Sequence, residues 1–405
     1  MKNINEIRAD FPILGKQVYG KPLVYFDNGA TTQKPQCVLD ALNEVYTDYN
    51  GNIHRGVHYL SDASSEAYEH SREKVSSFLN AQRKEEVLFT SGTTGSINGL
   101  AFSFGERYIK PGDEIIVSHL EHHANIVPWQ MMCERKGASL KVIPLNDSGE
   151  IIFEEYLKLL SPRTRLVAVA QASNALGTIL PLKEIIAAAH SGNIPVLIDG
   201  AQGIQHGITD MQSLDCDFYV FSGHKIYGPN GIGILYGKEK WLREMPPFQG
   251  GGDMVDKVTF EKTTYNDLPF KFEAGTMNYQ GAIGLARALE YVEDTGREEI
   301  ALREKELLLF ATERLSAIPG LKIYGDSKSK ISTISFLLKG IHQYDAGMIL
   351  DKMGIAVRTG THCAQPVMDH FGIDGTIRAS LCFYNTKEEI DSLALGIEKV
   401  KTMFA

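Results

Sequence analysis

Seven short apolar runs stand in the middle of this chain, at 86–90, 114–118, 139–143, 166–170, 195–199, 217–222 and 233–236. Most are rich in β-branched and aromatic residues, bounded by Gly, Pro or Asp, and separated by segments of helix length. A run that is apolar throughout, rather than alternating, suits a strand covered on both faces. Such strands alternating with helices predict an α/β fold with a mainly parallel, seven-stranded sheet. From about residue 282 a long helical period begins and continues through the charged, helix-forming stretch 298–315. Strands are expected near 332–338 and 378–383, so the remainder reads as a separate α+β unit. The chain therefore divides into a large domain, 18–265, and a smaller one built from 1–17 and 282–405.

A length of 405 residues suits a large domain with a smaller partner. The formal net charge is −9 and no Lys/Arg block interrupts it, which argues against nucleic acid or an anionic membrane as the main partner. The first ten residues carry acids and lack an apolar core, so they do not read as a signal peptide. No segment approaches the roughly 18 apolar residues of a membrane helix. A soluble, cytoplasmic chain is the expectation. The five cysteines (Cys37, Cys133, Cys216, Cys363, Cys382) are odd in number, scattered and never spaced as C-x-x-C. That disfavours a disulfide framework or a structural zinc site and leaves room for one reactive thiol.

In open α/β sheets ligands sit beyond the carboxyl ends of the strands. Ser222-Gly-His-Lys225 directly follows a strand, where a lysine can bond covalently to a carbonyl cofactor; on a helix face it would only be solvated. Asp199 ends another strand and is followed by Gly-Ala-Gln202. Such an acid either caps a turn or keeps the pyridine nitrogen of pyridoxal phosphate (PLP) protonated, with Gln202 donating to the ring oxygen. The turn Thr90-Ser-Gly-Thr-Thr-Gly-Ser-Ile-Asn98, which contains Thr93 and Thr94, offers N–H groups and a positive helix end to a phosphate. It has neither P-loop spacing nor G-x-G-x-x-G. His122, in Glu121-His-His-Ala-Asn125, can lie on a pyridine ring and carry protons. His123 reads as structural, and no acid or thiol at ligand spacing makes the pair a metal site. Asn174 ends a further strand within reach of cofactor or substrate. Arg358 and Arg378 flank the last loop, either as clamps for an amino-acid carboxylate or as partners of surface acids.

Thr93-Thr94, His122, Asn174, Asp199, Gln202, Ser222-Gly-His-Lys225 and Arg358-Thr-Gly-Thr-His-Cys363 together resemble the cysteine desulfurases. These belong to the fold-type I, class V aminotransferase-like PLP enzymes. Within them the resemblance is to the group II, Suf-type members, also called selenocysteine lyases, and it runs from Asp27-Asn-Gly-Ala-Thr-Thr32 to the C-terminal domain. Ser-Gly-His-Lys marks the superfamily and Arg-Thr-Gly-x-His-Cys the subgroup; the longer, Ser-rich cysteine loop of group I is absent. The resemblance implies that Lys225 carries the cofactor, Asp199 pairs with the pyridine nitrogen, Gln202 contacts the ring oxygen and His122 stacks on the ring. It also implies that Thr94, Ser222 and His224 hold the phosphate. Thr276 would reach the phosphate of the other subunit in a homodimer. Arg378, aided by Asn174, would bind the substrate carboxylate, with Arg358 beside the nucleophile loop. The sequence departs from the family pattern at Met277, where Pro commonly follows the Thr, and at Asn28-Gly29; neither is expected to touch the chemistry.

The activity so implied is conversion of L-cysteine to L-alanine. Lys225 takes the Cα proton, and Cys363 takes the sulfur as a persulfide for iron–sulfur cluster assembly through a Suf sulfur-acceptor protein. L-selenocysteine is the implied second substrate. A thiol is soft and partly ionised near neutrality, more so beside a cationic His362 or Arg358. The competing reading of Cys363 is a small buried hydrophobe, for which a glycine-containing loop is a poor place. The other four cysteines take that buried reading. Rival functions are a selenocysteine-specific lyase, a class V aminotransferase that gives Cys363 no role, and a catalytically dead scaffold. The scaffold would tolerate loss of Lys225 or Cys363, and both are present.

Overall fold

The computed structural model describes residues 3–404. Its central sheet is built from β1 (Val87–Thr90), β2 (Glu114–Ser118), β3 (Ser139–Ile143), β4 (Thr164–Ala170), β5 (Val196–Asp199), β6 (Phe218–Ser222) and β7 (Gly233–Gly237). The spatial order is β1-β7-β6-β5-β4-β2-β3. β7 runs antiparallel to both of its neighbours, and every other pairing is parallel. Each apolar run of the sequence has become a strand.

The sheet is buried on both faces because successive side chains alternate between two apolar layers. In β6, Phe218 and Val220 enter one core while Tyr219 and Phe221 enter the other. Helices α1 (Gln36–Asp48), α2 (Tyr59–Leu79), α3 (Thr93–Tyr108) and α4 (Tyr279–Thr295) supply much of the cover. Ile97, Leu100 and Phe104 of α3 join Val117, Leu197 and Val220 in one core. Val75 and Phe78 of α2, with Leu285 and Leu289 of α4, join Ile116, Val167, Ile198 and Phe221 in the other. Full burial of such a side chain contributes about 1.5–3 kcal/mol, so a sheet apolar on both faces demands both layers. Helix α4 packs on α1 and α2, so the helical period read with the second unit begins within the cover of the large sheet.

A second, antiparallel sheet holds β8 (Leu321–Tyr324), β9 (Thr333–Leu338), β10 (Arg358–Gly360) and β11 (Thr376–Ser380) in the order β8-β9-β11-β10. Leu307 and Leu315 of α5 (Arg297–Ser316) and Ile390 and Ile397 of α6 (Lys387–Met403) form its core with Ile334, Phe336 and Ile377. β11 stops at Ser380 rather than at Phe383, because the Asn385 side chain accepts the Cys382 N–H at 2.8 Å and turns the chain. Residues 24–26 thread beside this unit: Val24 N–H donates to Gly354 O and Phe26 N–H to Ala356 O, while Ser380 N–H donates to Phe26 O. Among the described residues no helix is long and apolar enough to cross a membrane.

Candidate active site

The carboxyl ends of β5 and β6, the turns after β1 and β2, and side chains from β10 and β11 meet at one cleft of about 220 Å³. A water molecule's share of liquid volume is about 30 Å³, so the cleft takes a substituted ring. Thr93, Thr94, His122, Asn174, Asp199, Gln202, Ser222, His224, Lys225, Arg358 and Arg378 line it. Two expected residues, Cys363 and Thr276, do not.

β6 runs straight into the short 3₁₀ turn Gly223–Lys225, which carries Lys225 over the edge of the sheet. Its Nζ donates to Gly29 O at 2.6 Å. Burial, and then Arg378, push the ammonium down to about 7 against the pull of Asp199, so near neutrality much of it is a free amine. Asp199 is 5% exposed and accepts from Ala201 N–H at 2.9 Å. Burial pushes it up to about 6 although Lys225 pulls it down. A buried carboxyl in that state gains most from a protonated ring nitrogen beside it.

Gly92 turns into α3 with φ +138, and a Cβ there would stand 3.3 Å from Ser222 Oγ. Glycine lets the turn close on that hydroxyl. Thr93 then donates its N–H to Ser222 Oγ at 2.8 Å, and its Oγ1 meets the same atom at 2.8 Å. Hydroxyls are thereby gathered at the positive end of a helix of 16 residues, where an anion is favoured. His224 is pushed down to about 4 by burial and then by Lys225 and Lys34, so it meets an anion as a neutral donor. Anion cradle, amine and buried acid share one cleft, and these residues fit PLP.

His122 Nδ1 accepts from Ala124 N–H at 3.0 Å, which leaves the proton of the neutral ring on Nε2. Burial, then Lys225, lower its pKa to about 4. Arg358 and Arg378 are directly paired across β10 and β11. Like charges so placed repel. Arg378 donates to Asp27 Oδ1 at 3.0 Å and to Asn174 O at 2.9 Å, and its Nε is buried without a partner. The two guanidiniums make the cleft attractive to a carboxylate. Asn174 uses its amide N–H on His362 O at 2.5 Å, leaving a buried, unpartnered Oδ1. That bond braces the cysteine loop, and the second N–H of the amide remains available as a donor at the cleft that Asn174 lines.

Gly29, expected to lie outside the chemistry, is part of the site. It lines the cleft, and its carbonyl accepts from both Lys225 Nζ and Gln202 Nε2, the latter at 2.7 Å. Gly29 falls in the stretch Asp27–Thr32 where the family resemblance begins, and the pairing of 24–26 with 354–356 brings it to the cleft. His362, expected as a cation, is neutral. It is 3% exposed, and burial with Arg378 and Arg358 pushes it down to about 3. Arg358 is left as the cation of that loop.

Cys363 is half-buried beside the cleft, with its carbonyl accepting from His123 N–H at 2.8 Å. His362 and Cys363 take φ +55 and +54, and Ala364 N–H closes the turn on Thr361 O at 3.0 Å. Turns with two left-handed central residues favour Gly, Asn and Asp. Each other residue costs roughly 1–2 kcal/mol there. Thr276 is exposed on a separate depression with Phe89, Thr90 and Ser91, its Oγ1 donating to Asn52 Oδ1 at 3.2 Å. Cys133, Cys216 and Cys382 are buried and Cys37 is half-buried.

The profile of the aminotransferase class-V family matches residues 24–393. A cysteine desulfurase of Synechococcus elongatus is 52% identical over 400 residues, which are 99% of this chain and 64% of that protein. A cysteine desulfurase of Pectobacterium atrosepticum is 49% identical over 98% of each chain. The crystal structure of the cysteine desulfurase CsdA from Escherichia coli superposes with a TM-score of 0.92 at 40% identity, over 100% of this chain and 99% of that one. The chain spans under two thirds of the length of several curated relatives it matches.

Proposed function

Because the chain belongs to the aminotransferase class-V family, we propose that it is a PLP-dependent cysteine desulfurase of the Suf type. It turns L-cysteine into L-alanine and holds the sulfur on Cys363. The observation that carries this reading is the placement of the thiol: Cys363 stands next to cleft-lining His362, on a turn bonded to the histidine that follows His122.

Bound in the cleft, PLP supplies an electron sink conjugated to the substrate α-carbon. Lys225 would hold it through Nζ, and as a free amine Nζ would accept the substrate α-proton, a role suited to a group titrating near neutrality. Asp199 would hold the proton of the pyridine nitrogen, and Thr94, Ser222 and neutral His224 would hold phosphate oxygens. Arg378 and Arg358 orient the substrate carboxylate. His122, which lines the cleft with its proton on Nε2, would stack on the ring. Cys363 Sγ, as thiolate, bonds to the substrate sulfur; the substrate Cβ–S bond breaks with its electron pair on the carbon side, and a proton at Cβ with return of the α-proton from Lys225 to Cα completes alanine. Cys363 is left as the persulfide.

Arg358 anchors one end of the loop in the cleft, and His119 Nε2 holds Pro366 O at 2.9 Å on the other side. Five residues from Arg358, the sulfur stays within about 18 Å of that anchor even on an extended chain. A sulfur-acceptor protein of the Suf system therefore brings its own cysteine to the site, supplying iron–sulfur cluster assembly. Thr276 faces the cofactor of a second subunit in a homodimer. L-selenocysteine, with the same carboxylate and a better leaving group, is a second substrate.

Purified protein incubated with L-cysteine and a small thiol should release alanine and sulfide in step, and Cys363→Ala should lose most of that turnover while keeping selenocysteine cleavage. Borohydride should fix cofactor mass on the peptide containing Lys225. No alanine from the wild-type chain, or label on another lysine, refutes the reading.

A further inference from the structure

His123 takes no part in the steps above, yet two hydrogen bonds join it to the turn that carries the nucleophile. Its backbone N–H donates to Cys363 O at 2.8 Å, and its Nε2 accepts from Gln365 N–H at 3.1 Å. The two contacts straddle Ala364 and grip the chain at and just beyond the cysteine. The turn needs such a grip, because His362 and Cys363 are both left-handed and neither is glycine. Backbone in that state persists only where its surroundings over-determine it. On the cleft side, Asn174 Nδ2 donates to His362 O at 2.5 Å, and His362 Nε2 meets Thr376 Oγ1 at 2.9 Å. Those two bonds fix His362. The carbonyl of Cys363 and the N–H of Gln365 are fixed by His123.

We infer that His123 is a positioning residue for the nucleophile: its imidazole and its own N–H clamp the left-handed turn that presents Cys363 to the cleft. The geometry requires the neutral ring with its proton on Nδ1, so that Nε2 is the acceptor. The clamp follows directly on His122, so the segment that sets the ring-stacking histidine also sets the thiol. The kinetic consequence rests on the desulfurase reading; the clamp itself does not.

The test compares His123→Phe, which keeps a ring but lacks the acceptor, with His123→Gln, whose amide oxygen can take the place of Nε2. His123→Asn, too short to reach Gln365 N–H, is the second loss variant should the Phe protein not fold. Holoenzyme is assayed for alanine release from L-cysteine, and Cys363 alkylation by iodoacetamide is followed on its peptide by mass spectrometry. The Phe or Asn variant should lose about tenfold to a hundredfold in kcat with KM unchanged, as expected when a reacting group is misplaced by about 1 Å. Cys363 should alkylate faster in that variant, and Gln should restore both readouts. Wild-type kcat in the loss variant, equal losses in the loss and Gln variants, or a rise in KM in place of the fall in kcat would each overturn the role. If the wild-type chain releases no alanine, the functional reading fails instead, and alkylation alone decides: an unaltered rate in the loss variant overturns the clamp.

Discussion

Gly29→Ala adds one methyl group at a crowded point of the cleft wall. Its Cβ would stand 3.2 Å from Cζ and one terminal nitrogen of Arg378 and 3.3 Å from Ser380 Oγ, so the neighbours must yield by a few tenths of an ångström. Neither has slack. Arg378 is 2% exposed and held on Asp27 at 3.0 Å and Asn174 O at 2.9 Å, while Ser380 Oγ accepts from Gly29 N–H at 2.7 Å and donates to Phe26 O at 3.1 Å. The backbone at Gly29 is not left-handed, so the substitution brings crowding without torsional strain, and the carbonyl that receives Lys225 stays in place. Overpacking of this kind costs about 1–3 kcal/mol. Carried by the carboxylate clamp, that is a rise in KM for L-cysteine of about 5- to 150-fold. The assay is steady-state alanine formation, with melting temperature and bound cofactor measured on the same preparations; cofactor content should not change. A wild-type KM in a folded, loaded variant would refute the claim that the missing side chain of Gly29 makes room for Arg378.

Arg378→Ala should also raise KM for L-cysteine, by the equivalent of about 1.5–3 kcal/mol for a lost charge-assisted bond; an unchanged KM moves the clamp to Arg358. Asp199 has a folded pKa raised from 3.8 to about 6, so between those values the folded chain binds more protons than the unfolded one and loses stability as pH rises. In cofactor-free protein Asp199→Asn should therefore stabilise by about 1–3 kcal/mol near pH 7.5 and by little near pH 4. A difference that does not vary with pH in thermal melts would count against it. Arg72, fully buried, meets Glu273 through two bonds of 2.8 Å each, and Tyr68 and Phe89 also donate to that carboxylate. Glu273→Gln should cost about 3 kcal/mol in urea unfolding, the low end for a broken buried pair because Glu69 still reaches Arg72; a loss below about 1 kcal/mol would refute it.

The seven strands were legible because each strand's apolar content and its polar stop are local properties of the chain. Lys225 and Asp199 were legible for a related reason: a polar residue at the carboxyl end of a buried strand reaches the ligand side of the sheet whatever surrounds it. The hydroxyl-rich turn after β1 could be placed at the cleft the same way, from Gly92 and the residues that follow it. Other features depend on segments far apart in sequence. Gly29 enters the site only because residues 24–26 pair beside 354–356, more than three hundred positions away. The charge of His362 depends on burial and on two arginines, one of them on the neighbouring strand, so a motif that shows a histidine beside a cysteine cannot show that it is neutral. The left-handed pair His362–Cys363 carries no glycine to announce it, and its conformation is held by Asn174, Thr376 and His123 from other elements. Local pattern determined which elements form and which end of the sheet carries the chemistry. Long-range packing decided the protonation states, the carbonyl that receives Lys225 and the strained setting of the thiol, because dielectric, charge and backbone restraint are summed over neighbours in space rather than neighbours in sequence.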